Sequence, residues 1–492
     1  MDFRQTILDL LNSIGPSIIT RSAYDTAWLV RLGEMDESLS RPALDWLRAN
    51  QLPDGSWGAL EPRYHHDRMA CTLSAMVALA THGGPEDRSR LIRAQSILEH
   101  MALGLPADPA GATVGFEMII PTLLVEAQAL GLIDRLDGAL DRLTRHREAK
   151  ITALPKGVIN RAVTVAFSTE MVGSDGLHLI DVENLQEANG SVGYSPAATA
   201  FFALNICPNN PEALNYLRHY AVGGAVPYVA PIDVFEHAWT LWNLALTGPL
   251  DAEMRARCQP SLDFLESEWN PERGIASVAG LTFTDGDATS LTHKVLTHYG
   301  REVGLDGVRY YERDNHFLCY PLEANPSTST NIHVLGALRE AGLGVDDPSV
   351  QKVLRFLERA QTLGIFWFDK WHASPYYPTS HAIVACNGYC DRLVADALYW
   401  MIETQNADGS WGYYQPTAEE TAYSLQALIH AKRHGHEVPE RTLRRGAIWL
   451  EGRVEPPYPP LWIGKCLYSP VLVVRSAIVS ALTMAAQEGA LD

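Results

Sequence analysis

The chain predicts an all-α protein built as two α-barrels of paired helices, on three observations. Small and aliphatic residues recur at spacings of three and four behind short clusters of Ser, Thr or Asp. A turn of the form Gln-x-x-x-Gly-x-Trp, or a near relative of it, occurs in both halves. Strand signals are weak and scattered. Turn-plus-helix units that repeat along a chain stack as hairpins in rings or solenoids, and a pair of barrels suits these repeats better than one bundle.

The elements follow in order. The N-terminal segment sets Leu8, Leu10, Leu11 and Ile14 on an amphipathic pattern, without the basic start and long apolar run of a signal peptide. Gln51 to Gly58 is the first repeat turn, and Asp67-Arg68-Met69-Ala70 leads from it into Leu73, Met76 and Leu79. Gln186 to Gly193 keeps the turn but lacks its Trp; Ser195-Pro196 follows, with proline suited to a first helical position. A cluster at 329–331 precedes Ile332 and Leu335. Gln405 to Gly412 repeats the full turn, and Thr417 with Glu420 has capping-box spacing ahead of Tyr423, Leu425 and Leu428. In each turn glycine ends one helix, while Gln and Trp can tie its neighbours. The Pro- and Gly-rich connection from Gly223 to Pro231 marks the exchange between barrels.

Composition bounds the function. A formal charge of -19 over 492 residues argues against non-specific nucleic-acid binding, so an anionic ligand needs a local basic pocket. The 7 cysteines include no paired CxxC motifs, which fits a reducing cytoplasmic setting and buried free thiols, Cys386 and Cys390 included. No stretch approaches the length of a membrane span.

The chemistry concentrates at Phe283-Thr-Asp285-Gly-Asp287-Ala288-Thr-Ser290, where two carboxylates stand two residues apart before an apolar helix. Carboxylates that close resist joint ionisation, so one can stay protonated and act as an acid. Asp is equally a preferred helix cap, and these residues alone fit either reading. An inverting glycosidase would instead pair Asp287 with Glu419 or Glu420 at a wider separation. A helical-repeat binding protein needs no acid at all.

Several stretches, in this order, resemble the class II terpene cyclases. They are Ser22 to Trp28, Gln51 to Gly58, Gly115-Phe-Glu117 through Pro121, Asn189 to Pro196, Asp369-Lys370-Trp371 and Glu419 to Tyr423. The resemblance covers nearly the whole chain and is strongest to bacterial class II diterpene cyclases that make halimadienyl (tuberculosinyl) or kolavenyl diphosphates. It implies a βγ didomain: residues 1–18 plus 223–492 as the β domain carrying the acid motif, and 19–222 as an inserted γ domain. It implies a prenyl diphosphate substrate, geranylgeranyl diphosphate or the shorter farnesyl diphosphate. Asp287 would protonate the distal alkene, supported by Asp285 through a hydrogen bond or through its effect on ionisation, and His333 would be a hydrogen-bond partner of Asp287. Ala288 stands where the family has Asp or Thr.

For the diphosphate the resemblance points to Arg161 and Lys370, with Lys465 as a further cation. Trp367, Trp371 and Tyr413 belong to the aromatic groups, with Tyr376, Tyr377, Trp411 and Tyr414, that would face carbocations. Magnesium is expected with the diphosphate, but its protein ligands are unknown: the segment at 105–109 offers the single carboxylate of Asp108. Ser168 and Tyr228 fall where plant copalyl synthases have the His and Asn of the terminating base, which implies a longer-lived cation and a rearranged skeleton. Asp346-Asp347 runs into Pro348 without the further acid of an ionising motif, so the product keeps its diphosphate and a phosphatase or class I synthase would act next.

Overall fold

The computed structural model describes residues 2–15, 17–133, 138–321, 323 and 325–491. Its first helices are α1 (Phe3–Asn12), α2 (Ala23–Arg31), α3 (Glu37–Ala49), α4 (His65–His82), α5 (Arg88–Gly104), α6 (Phe116–Ala129), α7 (Ala139–Ala153), α8 (Pro196–Asn205) and α9 (Pro211–Tyr220). Here α2, α4, α6, the 3-10 segment Thr164–Val172 and α8 close a ring, and α3, α5, α7 and α9 pack outside it. The rest are α10 (Asp233–Ala245), α11 (Ala252–Glu268), α12 (Gly286–His298), α13 (Asp306–Arg309), α14 (Thr328–Glu340), α15 (Pro348–Ala360), α16 (Tyr376–Cys386), α17 (Asp391–Glu403), α18 (Ala418–Arg433), α19 (Glu440–Glu451) and α20 (Val471–Gln487). The even-numbered helices from α10 to α20 close a second ring, and α1 returns to pack on α11 and α20.

Position in the ring explains composition. Every residue of the inner helix α16 is buried, because it meets helices on both sides as well as the barrel core. The outer helix α15 buries one stripe, Val350, Val353, Leu354 and Leu357 among it, and leaves its charges to solvent. The apolar interior accordingly falls into two main clusters. One gathers residues from Ala23 to Leu217 with Val226 and Cys466; the other joins Ile7 to Ile19 with Val229 to Ala490 and takes in Tyr194.

The repeat turns work as staples. The Trp411 indole N–H donates to Met401 O of the preceding outer helix at 2.7 Å, while its backbone N–H donates to Thr421 Oγ1 of the following inner helix at 3.0 Å. Gln405 Nε2 reaches Gly409 O and Thr442 O, each at 2.9 Å. Trp57 repeats the arrangement with Leu47 O and Thr72, and Trp367 does so with Leu357 O and Thr379. Ile275 keeps the threonine half, donating to Thr289 Oγ1 at 2.9 Å. The aspartate-rich stretch is therefore set on one of these repeats.

Two helix starts differ from the sequence reading, both because distant carboxylates satisfy their free N–H groups. α14 begins behind Ser327 rather than at the cluster 329–331, since Asp369 Oδ1 accepts from Thr328 N and Ser329 N at 2.7 and 3.1 Å. α4 starts at His65, where Asp108 accepts from His65 N and His66 N. The regular strands among the described residues are a hairpin of β1 (Trp462–Ile463) and β2 (Leu467–Tyr468), whose tip enters the first barrel. No described helix is long and apolar enough to cross a membrane.

Candidate active site

A cavity of about 440 Å³ lies between the barrels. Phe167, Ser168 and Met171 wall it on one side and Phe235, Trp239 and Trp462 on the other, with Asp285, Asp287 and Ala288 at the start of α12. Backbone packing fixes that start. Gly286 N donates to Cys319 O at 2.7 Å, and a Cβ on Gly286 would stand 2.2 Å from Leu318 O, so a side chain between the aspartates would require that backbone to shift.

The aspartates divide their work. Asp285 is the cap of α12, accepting from Ala288 N at 2.6 Å. Burial pushes its carboxyl up to about 7, the Ala288 amide opposing and the nearby Asp287 charge adding to the rise. No side-chain hydrogen bond joins it to Asp287 among the described residues, so of the two modes of support expected the electrostatic one remains. Asp287 Oδ1 lies 2.6 Å from His333 Nδ1, and His333 Nε2 lies 3.0 Å from His381 Nδ1. The Asp287 side chain is 16% exposed against 2% for His333. Asp287 thus faces the cavity with His333 behind it.

Asp369-Lys370-Trp371 splits three ways. Asp369 anchors the start of α14 and so positions His333, and Trp371 lines the cavity. Lys370 turns away, its ammonium 2.6 Å from both Glu323 Oε2 and Asn325 O. Arg161, Lys465, Trp367 and Tyr413 likewise fall outside the cavity wall. Arg161 is exposed, with its guanidinium 3.4 Å from Gln186 O. Lys465, at the hairpin tip, is fully buried and 2.6 Å from Glu170 Oε1. Trp367 is consumed by its repeat turn, and Tyr413 is 45% exposed. Tyr376, Tyr377, Trp411 and Tyr414 do not line the cavity either. Glu419 and Glu420 accept from Trp462 Nε1 and from Ser374 Oγ inside the second barrel, away from Asp287.

The wall holds residues that sequence reasoning missed. Phe235, Trp239 and Trp462 are separated along the chain and converge through ring closure. At the exposed end stand Glu117 and Lys150, 3.8 Å apart and 49% and 40% exposed. Glu117 was visible in Gly115-Phe-Glu117; Lys150 had as its signal a place in the last turn of the basic helix α7. Ser168 and Tyr228 both line the cavity, and burial drives the Tyr228 phenol well above its ordinary range, with Tyr468 adding to the rise.

A magnesium ion takes oxygen ligands and keeps several for phosphate and water, so one or two carboxylates suffice. Glu117 fits this, while Asp108 is engaged by His66 Nδ1 at 2.7 Å. The cluster of Asp67, Cys71 and Cys466 is buried and thiol-rich, which does not fit a hard cation.

Residues 321–455 match the squalene-hopene cyclase C-terminal domain family. Over 479 residues the sequence is 43% identical to the type B diterpene cyclase of Mycobacterium tuberculosis, covering 95% of this chain and 96% of that one. Over 502 residues it is 32% identical to an ent-copalyl diphosphate synthase of Streptomyces, with 97% and 94% covered. Among solved structures it is similar to ent-copalyl diphosphate synthase from Streptomyces platensis, with a TM-score of 0.81, 30% identity, and 99% and 100% of the two chains covered.

Proposed function

The chain belongs to the class II diterpene cyclases, and we propose that it protonates geranylgeranyl diphosphate from Asp287 and closes two rings with the diphosphate retained. The observation that carries this is the Asp287–His333 pair at one end of an apolar, aromatic cavity whose exposed end holds Lys150 and Glu117. An alkene is an extremely weak base, so the acid has to be aimed at it with water excluded. Asp287 Oδ1 is occupied by His333, and Oδ2 has no hydrogen-bond partner among the described residues, which supports Oδ2 as the oxygen that delivers the proton. Asp285 leaves that hydrogen bond uncontested, its own oxygen being held by Ala288 N.

As the rings close, positive charge moves along the chain of carbons, and the π faces of Trp239, Phe235, Trp462 and Phe167 offer it stabilisation without a nucleophile. Lys150 replaces Arg161, Lys370 and Lys465 as the cation for the diphosphate. Magnesium, when bound with that group, would be held by Glu117 and would neutralise phosphate charge. Lys150→Gln is expected to raise KM for the diphosphate substrate about 10- to 100-fold, the range of one lost charge-assisted hydrogen bond, with kcat nearly unchanged. Steady-state kinetics on both parameters checks this; an unchanged KM would free Lys150 of the role.

We further propose a rearranged product of halimadane or clerodane (kolavenyl) type. Neither the Ser168 hydroxyl nor the buried Tyr228 phenol is a base competent to end the cascade at ring closure, which supports hydride and methyl shifts before proton loss. Incubation with geranylgeranyl and farnesyl diphosphates in parallel, then dephosphorylation and mass spectrometry, should give a rearranged bicyclic C20 alcohol. A main product with the unrearranged copalyl skeleton would overturn the rearrangement, and preference for farnesyl diphosphate the substrate. Because the diphosphate stays, a phosphatase or an ionising synthase has to consume the product.

A further inference from the structure

We infer that His381 is a positioning residue that fixes the tautomer of His333 and, through it, the oxygen of Asp287 that carries the transferable proton. The inference rests on Asp287 being the acid. Inside the second barrel the three side chains form a line: Asp287 Oδ1 to His333 Nδ1 at 2.6 Å, then His333 Nε2 to His381 Nδ1 at 3.0 Å. His381, on α16, is held flat by Trp242 from α10, ring centroids 4.0 Å apart and planes 22° apart, and Tyr423 from α18 meets it edge-on at 5.7 Å. Its Nε2 is buried without a hydrogen-bond partner among the described residues.

A neutral imidazole is a donor at one nitrogen and an acceptor at the other. Burial lowers the affinity of His381 for a second proton, and His333, Lys294 and His372, which face it from α14, α12 and the preceding loop, lower it further. The line then has two directions. In one, His381 Nδ1–H donates to His333 Nε2, and His333 Nδ1–H donates to Asp287 Oδ1; the acid's own proton is left to Oδ2, on the cavity side. In the other, every donor reverses: His381 Nε2–H is a buried donor with no acceptor, and Asp287 spends its proton on His333. A buried N–H without an acceptor is the rarer and costlier state. The bond that one imidazole nitrogen makes sets the proton on the other, so the first direction prevails and His381 sets it.

Long-range 1H–15N spectra of protein labelled with 15N-histidine test this, His333 being assigned from the signals missing in His333→Gln. His333 is expected as the Nδ1–H tautomer. In His381→Phe it should become a mixture of tautomers, with kcat about 10- to 100-fold lower and KM unchanged. His381→Asn, which places an amide near the former Nδ1, should recover most of that loss. A wild-type His333 in the Nε2–H form, an unchanged kcat in His381→Phe, or no recovery with Asn would each overturn the inference. Wild-type spectra decide it even where a variant does not fold. Failure of the acid reading is distinguishable: Asp287→Asn would then retain turnover whatever tautomer His333 shows.

Discussion

Asp287→Asn is expected to lower kcat by at least about 10³-fold, within the range that a general acid supplies, with KM for geranylgeranyl diphosphate little changed. The substitution is nearly isosteric, and its amide oxygen can still accept from His333, 2.6 Å away in the wild type. What disappears is the acidic proton at the cavity face. Among the described residues Asp285 is the other carboxyl at this end of the cavity, and it is poorly placed to substitute, because its oxygen is held by Ala288 N at 2.6 Å as the cap of α12. Its carboxyl is nonetheless raised to about 7 by burial. The variant lacks the Asp287 charge that adds to this rise, so any residual turnover should fall as pH rises through a range below that value, where Asp285 then ionises. Product formation followed by mass spectrometry checks both points. Turnover equal to the wild type would remove Asp287 as the acid.

What the sequence disclosed depended on how local its cause was. Asp285, Asp287 and the cap geometry lie within one helix start, and the repeat turns carry their own Gln, Gly and Trp, so spacing exposed them. His333 was legible through resemblance, whereas its orientation comes from Asp369 reaching across from another unit. Lys370 and Trp367 sit among aromatic residues, which resembles a ligand wall, yet Glu323 takes the cation and Thr379 with Leu357 takes the indole. The cavity wall is assembled when α10 and the hairpin meet the first barrel, and nothing in the neighbourhood of Trp239 or Trp462 announces that meeting. Ala288 departs from the family pattern at a position the structure places in the wall, fully buried, so a larger polar residue there would project toward the same space.

Lys465→Met is expected to destabilise the fold by about 3–5 kcal/mol, because removing one partner of a buried ion pair strands the other charge. Lys465 and Glu170 are 0% and 1% exposed, 2.6 Å apart, and the ammonium also donates to Ser195 Oγ at 2.7 Å. Glu170 accepts from Tyr24 as well, and burial, the largest effect, raises neighbouring Asp25 to about 7 even though the Lys465 charge opposes it. Without the lysine, this pocket of carboxylates loses its counter-charge. The loss should appear as a fall in Tm of about 10 °C, a few degrees per kcal/mol for units of this size. Its location gives it a second consequence. Lys465 rides on the hairpin of the second barrel while Glu170, Ser195 and Tyr24 belong to the first, and Gly464 and Ile463 line the cavity. The substitution therefore loosens the seam that holds the substrate site, and kcat should fall with stability. Lys465→Met combined with Glu170→Gln removes both charges while keeping an acceptor for Tyr24, and should recover a large part of the Tm. A Lys465→Met protein melting within about 2 °C of the wild type would show that the pair contributes nothing net to the seam; failure of the double variant to recover would assign the loss to packing of the lysine stem against Phe167, whose ring lies 4.5 Å from the ammonium.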